Sequence, residues 1–143
     1  MTDPVWERRR YAVTDHKEVR RSMVVTPFNN LEMEPNGDGP PGFFGLHASI
    51  EHEHGNIDVW LLCTKLHWAY YKGGSPEEDL AADVDKMTLE SRRWEILDDF
   101  AAAVKKALAR GVVLANDEIH IRLGADLRTP EYGPEWRRAL RDD

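Results

Sequence analysis

Phe43-Phe44-Gly45-Leu46-His47-Ala48-Ser49-Ile50-Glu51-His52-Glu53-His54-Gly55-Asn56-Ile57-Asp58-Val59-Trp60-Leu61-Leu62-Cys63 is the stretch from which the fold is read. Polar and apolar residues alternate loosely as far as Asn56, and from Ile57 to Tyr71 the chain is apolar on both sides. The segment therefore predicts two strands joined at Gly55-Asn56, a dipeptide suited to a tight hairpin turn. In that register Ile50 faces Leu61, Ala48 faces Cys63 and His52 faces Val59. One face then carries Leu46, Ala48 and Ile50 against Cys63, Leu61 and Val59, apolar enough to pack on a helix. The other carries His47, Ser49, Glu51 and Glu53 against Thr64, Leu62, Trp60 and Asp58. The second strand, with Leu66, Trp68 and Tyr70 continuing the Trp60 side, suits an inner position buried on both faces.

Working outward, Pro35-Asn36-Gly37-Asp38-Gly39-Pro40-Pro41-Gly42 breaks regular structure and predicts a loop. Before it, Asp3-Pro4 has the form of a helix cap with proline at the first helical position, and Asp15-His16-Lys17-Glu18 has capping-box spacing. One or two short helices are expected within residues 4–22. After the hairpin, Ser75-Pro76-Glu77-Glu78 signals a helix start. Leu80, Val84, Met87, Trp94, Leu97, Ala101, Val104 and Leu108 then recur at helical spacing until Gly111, placed as a C-terminal cap. This predicts one long helix from Pro76 to Arg110, or two with Thr88 capping the second. Residues 112–115 and 118–123, around Asn116-Asp117, predict a second hairpin, and Gly133-Pro134-Glu135 opens a short terminal helix. The expected fold is α+β: an antiparallel sheet built from two hairpins, covered by a long helix. The expected organisation is a single domain over 1–143, with a helical arm and Gly/Pro-rich loop over 1–42 and an α+β core over 43–143.

The chain has 143 residues, 41% hydrophobic, which suits a folded domain that needs no disulfide staples. Its single cysteine, Cys63, lies in an apolar run and is expected as a small buried hydrophobe. The chain opens on no secretory pattern and holds no run of about 18 apolar residues. A soluble protein of a reducing compartment or a virion is expected, with no membrane association. The net charge is −7, and residues 31–63 carry six acids and no Lys or Arg, a block that repels phosphate backbones. A nucleic-acid partner is disfavoured on that ground, and a winged-helix reading fails because Asn116-Asp117-Glu118 would tip the wing with negative charge.

Three site readings follow from particular residues. His52 and His54 fall on one strand face and could share a metal if a neighbouring strand supplied a third ligand. Leu46-His47-Ala48-Ser49-Ile50 and Ile119-His120-Ile121-Arg122-Leu123-Gly124 share a strand pattern that resembles the paired HxT/S motifs of the two-histidine phosphoesterases. That resemblance implies His47 and His120 as general acid and base, Ser49 as phosphate-holding hydroxyl, and Arg122 standing where the second hydroxyl would be. The third reading is an interaction or assembly protein without a cofactor, of the virion-component, immunity-protein or inhibitor kind. It would present an acidic sheet face to protein partners or to itself, with Trp6, Arg9, Tyr11, Phe28, Tyr132 and Trp136 as docking residues.

Overall fold

The computed structural model describes residues 9–30, 39–64, 93–124 and 130–141. Its elements are β1 (Arg9–Thr14), β2 (Arg20–Asn29), β3 (Phe44–Ile50), β4 (Ile57–Cys63), α1 (Arg93–Ala109), β5 (Glu118–Arg122) and α2 (Pro134–Leu140). The strands form one sheet in the order β1-β2-β3-β4-β5. The fold is α+β, but the sheet is mixed: β1 to β4 run antiparallel, and β5 lies parallel to β4. Parallel neighbours require a crossover, and α1 lies on it.

Four expectations change. Residues 9–29 form a hairpin rather than helices, because Tyr11 and Val13 alternate inward against Met23 and Val25 with period two. The capping signal at Asp15 is genuine but serves the hairpin turn. Its Oδ1 accepts the backbone N–H groups of Lys17 and Val19 at 2.9 and 3.0 Å, and Glu18 takes a positive φ of 64°. Consequently there is no helical arm over these residues, and the Gly/Pro segment connects β2 to β3 across a strand pair rather than linking an arm to a core. The long Pro76–Arg110 helix is not supported, the described helix being the 17 residues of α1, about 25 Å long. Trp6, the Ser75 cap, Thr88, and Leu66, Trp68 and Tyr70 lie outside the described residues. The second hairpin does not form, since residues 112–115 are not a strand and, among the described residues, β5 pairs with β4, in parallel.

The first hairpin exists with its register moved: Ile50 lies opposite Ile57, and Ala48 opposite Val59. The slip is an even number of residues, so every side chain keeps its face. Leu46, Ala48, Ile50, Ile57, Val59 and Leu61 are all fully buried. Against them α1 lays Phe100, Ala101, Ala103, Val104, Ala107 and Leu108, the i, i+3, i+4 stripe of a helix facing a core. Helix α2 packs on α1 through buried Trp136 and Ala139. Its C-terminal carbonyls, which have no partner within the helix, accept from Lys106 Nζ (Leu140 O, 3.1 Å) and Arg110 Nη1 (Ala139 O and Arg141 O). Both helices thus lie on one face of the sheet.

Candidate functional site

Among the described residues no helix lies on the other sheet face, and it is there that the polar side chains of the strands assemble. Two rows cross it. In the first, Arg10, Val24, Ser49, Asp58 and Glu118 stand side by side, one from each strand; in the second stand Thr26, His47, Trp60 and His120. His47 is held from two directions. Its ring stacks flat on the Trp60 indole, with centroids 3.7 Å apart and planes 3° from parallel, and Nε2 lies 2.8 Å from Asp58 Oδ1. His120 meets the other side of Trp60 edge-on at 6.4 Å, with Nε2 3.6 Å from Glu118. Trp60 is thus wedged between the two histidines, with Phe28 edge-on at 5.1 Å. Its Nε1 is buried and has no hydrogen-bond partner among the described residues.

One end of this face is closed by the β2–β3 connection. Asn30 Nδ2 donates to Gly39 O at 2.7 Å, and Gly39 passes so close over Phe28 and Trp60 that a Cβ there would stand 2.4 and 2.9 Å from their rings. Arg122 reaches over the Phe43 ring at 5.5 Å, a cation–π contact. The remainder stays partly open: the His47 side chain is 24% exposed, Asp58 34% and His120 46%.

The sequence-derived sites fare differently. His47, Ser49, His120 and Arg122 do share this face, but Trp60 stands between the imidazoles and each histidine has a carboxylate beside it. Two strand spacings separate them, about 10 Å. A phosphate between them would meet Asp58 and Glu118, charges of its own sign. His52 and His54 sit in the β3–β4 loop, their rings 5.5 Å apart, but His52 Nδ1 accepts the His54 backbone N–H at 3.1 Å. Among the described residues no group of three His, Cys, Asp or Glu side chains could hold a metal ion. Of the expected docking residues, Phe28 and Trp136 are buried, and Tyr11 and Tyr132 pack on the core, where Tyr132 stacks on Trp136 at 5.5 Å. These aromatics are occupied by the fold. Arg9 stands at the end of β1, opposite Val25.

Asp58, Trp60, Thr26, Arg10 and Glu118 were not named as site residues by sequence reasoning. The alternation Asp58, Trp60, Leu62 placed two of them on the polar face; Arg10 was hidden because residues 9–14 read as helix. Comparison of the chain with protein-family models, curated proteins and solved structures finds no match. No described helix is long and apolar enough to cross a membrane.

Two other hollows carry less chemistry. A polar groove of about 530 Å³ beside the β3–β4 loop contains Arg21, but that guanidinium is already divided between Asp15 (2.8 Å) and Glu53 (2.8 and 3.4 Å). Arg21 holds both carboxyls down to about 2. An apolar cavity of about 350 Å³ lies between α1, α2 and Leu61, and its ammonium group, Lys106, donates to the end of α2. Buried Cys63 has its thiol pushed up to about 12 by burial and is no nucleophile at neutral pH.

Proposed function

We propose that the chain is a protein-interaction or assembly module, without a cofactor, that receives its partner on the outer sheet face. The observation supporting this is the placement of His47, Trp60 and His120 in one partly exposed row, flanked by Asp58, Glu118 and Arg10, while the other face is spent on the helices. A rigid, half-buried Trp in a polar surround is the residue type that dominates interface energetics. Stacking and the His47–Asp58 contact fix the row before binding, so little side-chain entropy remains to be lost. The test is a photoactivatable side chain at Ser49, at the centre of the face, and a second at Glu135 on α2, in cells from which the protein comes. The reading expects a protein adduct at position 49 that disappears in Trp60→Ala, and none at position 135. Equal capture at both positions, or none at Ser49, contradicts it.

A second reading keeps the histidines as a phosphodiesterase pair, and what favours it is their common face. It expects phosphodiester hydrolysis that His47→Ala abolishes with folding intact; hydrolysis that persists in this variant contradicts it.

A further inference from the structure

The outer face is not uniformly charged. Along the row that crosses all five strands, the cation Arg10 stands at the β1 edge, Ser49 on the central strand, and Asp58 and Glu118 toward the β5 edge. Arg10 and Glu118 are both exposed, and four inter-strand steps separate them, about 19 Å. A surface with opposite charges at equal distances either side of its centre matches itself after a half-turn.

We infer that the partner of this face is a second copy of the same chain, docked face to face about a two-fold axis running along β3. The rotation lays β1 of one copy over β5 of the other, so Arg10 of each copy meets Glu118 of its mate, twice in the dimer. Ser49 meets Ser49 at the axis, and Thr26 of one copy covers Trp60 of the other. A half-turn about an axis across the strands would instead bring β1 onto β1 and β5 onto β5, setting like charges together. The charge layout therefore selects one orientation, and the interface is isologous and closed.

Size sets the strength. Five strands about 4.8 Å apart and two to three rows about 7 Å apart give roughly 400 Å² per copy. About 800 Å² in total is below the range of stable interfaces, so the dimer is weak, with dissociation in the micromolar range or above. This inference rests on the binding reading of the outer face and gives it a partner.

Sedimentation equilibrium of the full chain, from about 5 to 500 μM at physiological salt, tests it. The weight-average mass is expected to rise from one chain toward two across that range. Arg10→Glu and Glu118→Arg should each weaken association about tenfold, since each places like charges together at both ends of the face. The combined swap, Arg10→Glu with Glu118→Arg, should return it to within about threefold of the original. Circular dichroism of each variant separates lost association from lost folding. A chain monomeric throughout, or a combined swap as weak as the single changes, overturns the inference. If the chain is monomeric while Ser49 still captures a different protein in a Trp60-dependent way, only the self-association falls; if both fail, the binding reading falls with it.

Discussion

Single residues decide where this chain bends and what its charges do. Gly55 has φ +127°, and a Cβ there would stand 1.7 Å from Asn116 Oδ1. Asn116, itself at φ 69°, donates to His54 O at 2.7 Å, so the β3–β4 loop and the entry to β5 are locked together at one glycine. Gly55→Ala is expected to cost about 2 kcal/mol or more, read as a lowered urea midpoint with unchanged slope. Arg21 is the second such residue, tying the β1–β2 turn to the β3–β4 loop through Asp15 and Glu53. Both carboxyls titrate near 2 in the folded chain, against ordinary values of 3.8 and 4.5. Their folded values are depressed, so the stability they contribute is complete above about pH 5 and is lost as pH falls toward 2. Arg21→Met should flatten the fall in urea midpoint between pH 5 and 2; an unchanged pH profile would show that the pairing contributes nothing.

At the scale of elements, the sequence disclosed periodicity and hid partnership. The β3–β4 pair was legible because alternation is a local property. Its inner and outer faces came out correctly although the register moved, since Ile57 rather than Leu61 opposes Ile50 and the displacement is even. The turn was misplaced because Glu53 is drawn to Arg21 and His54 to Asn116, contacts between residues far apart in sequence. Residues 9–14 were misread for a related reason: Tyr11, Val13 and Thr14 are strand formers, but in so short a run their alternation was outweighed by the cap-like residues at Asp3-Pro4 and Asp15, and the pairing with β2 that decides the strand is not local. The pattern of β5 looked like half of a hairpin, but its mate is β4, reached through α1. The candidate site followed the same division, with His47 and His120 proposed from a motif and the Trp60 that stands between them visible only once the strands were ordered. Helix α2 illustrates dependence between elements, because Arg110 and Lys106 of α1 supply the donors its last carbonyls need. Arg110→Ala should raise hydrogen exchange of the α2 amides about tenfold while the β2 and β3 amides stay protected. Equal exchange in both proteins would show that α2 holds its end without α1.

For the molecule as a whole, the consequence is a two-sided sheet. One side is filled by α1 and α2, with Met23, Val25, Ile50, Val59 and Leu61 sealed beneath them. The other holds its polar row in place without a covering helix among the described residues, an arrangement that the antiparallel strands β1 to β4 tolerate. Net charge of −7 keeps copies apart at long range, while the Arg10 and Glu118 edges favour one close orientation. On the proposed binding reading, this outer face is open in the free chain and covered in the bound one. Methyl NMR with a soluble paramagnetic probe reads that directly, comparing Val24 and Thr26 on the outer face with Val25 on the inner face. In dilute solution the Val24 and Thr26 methyls should relax strongly while Val25 is spared, and their relaxation should fall toward that of Val25 as chain concentration rises into the associated range. Val24 and Thr26 already as protected as Val25 in the dilute chain, or equally exposed when the chain is associated, would show that this face is not the binding surface.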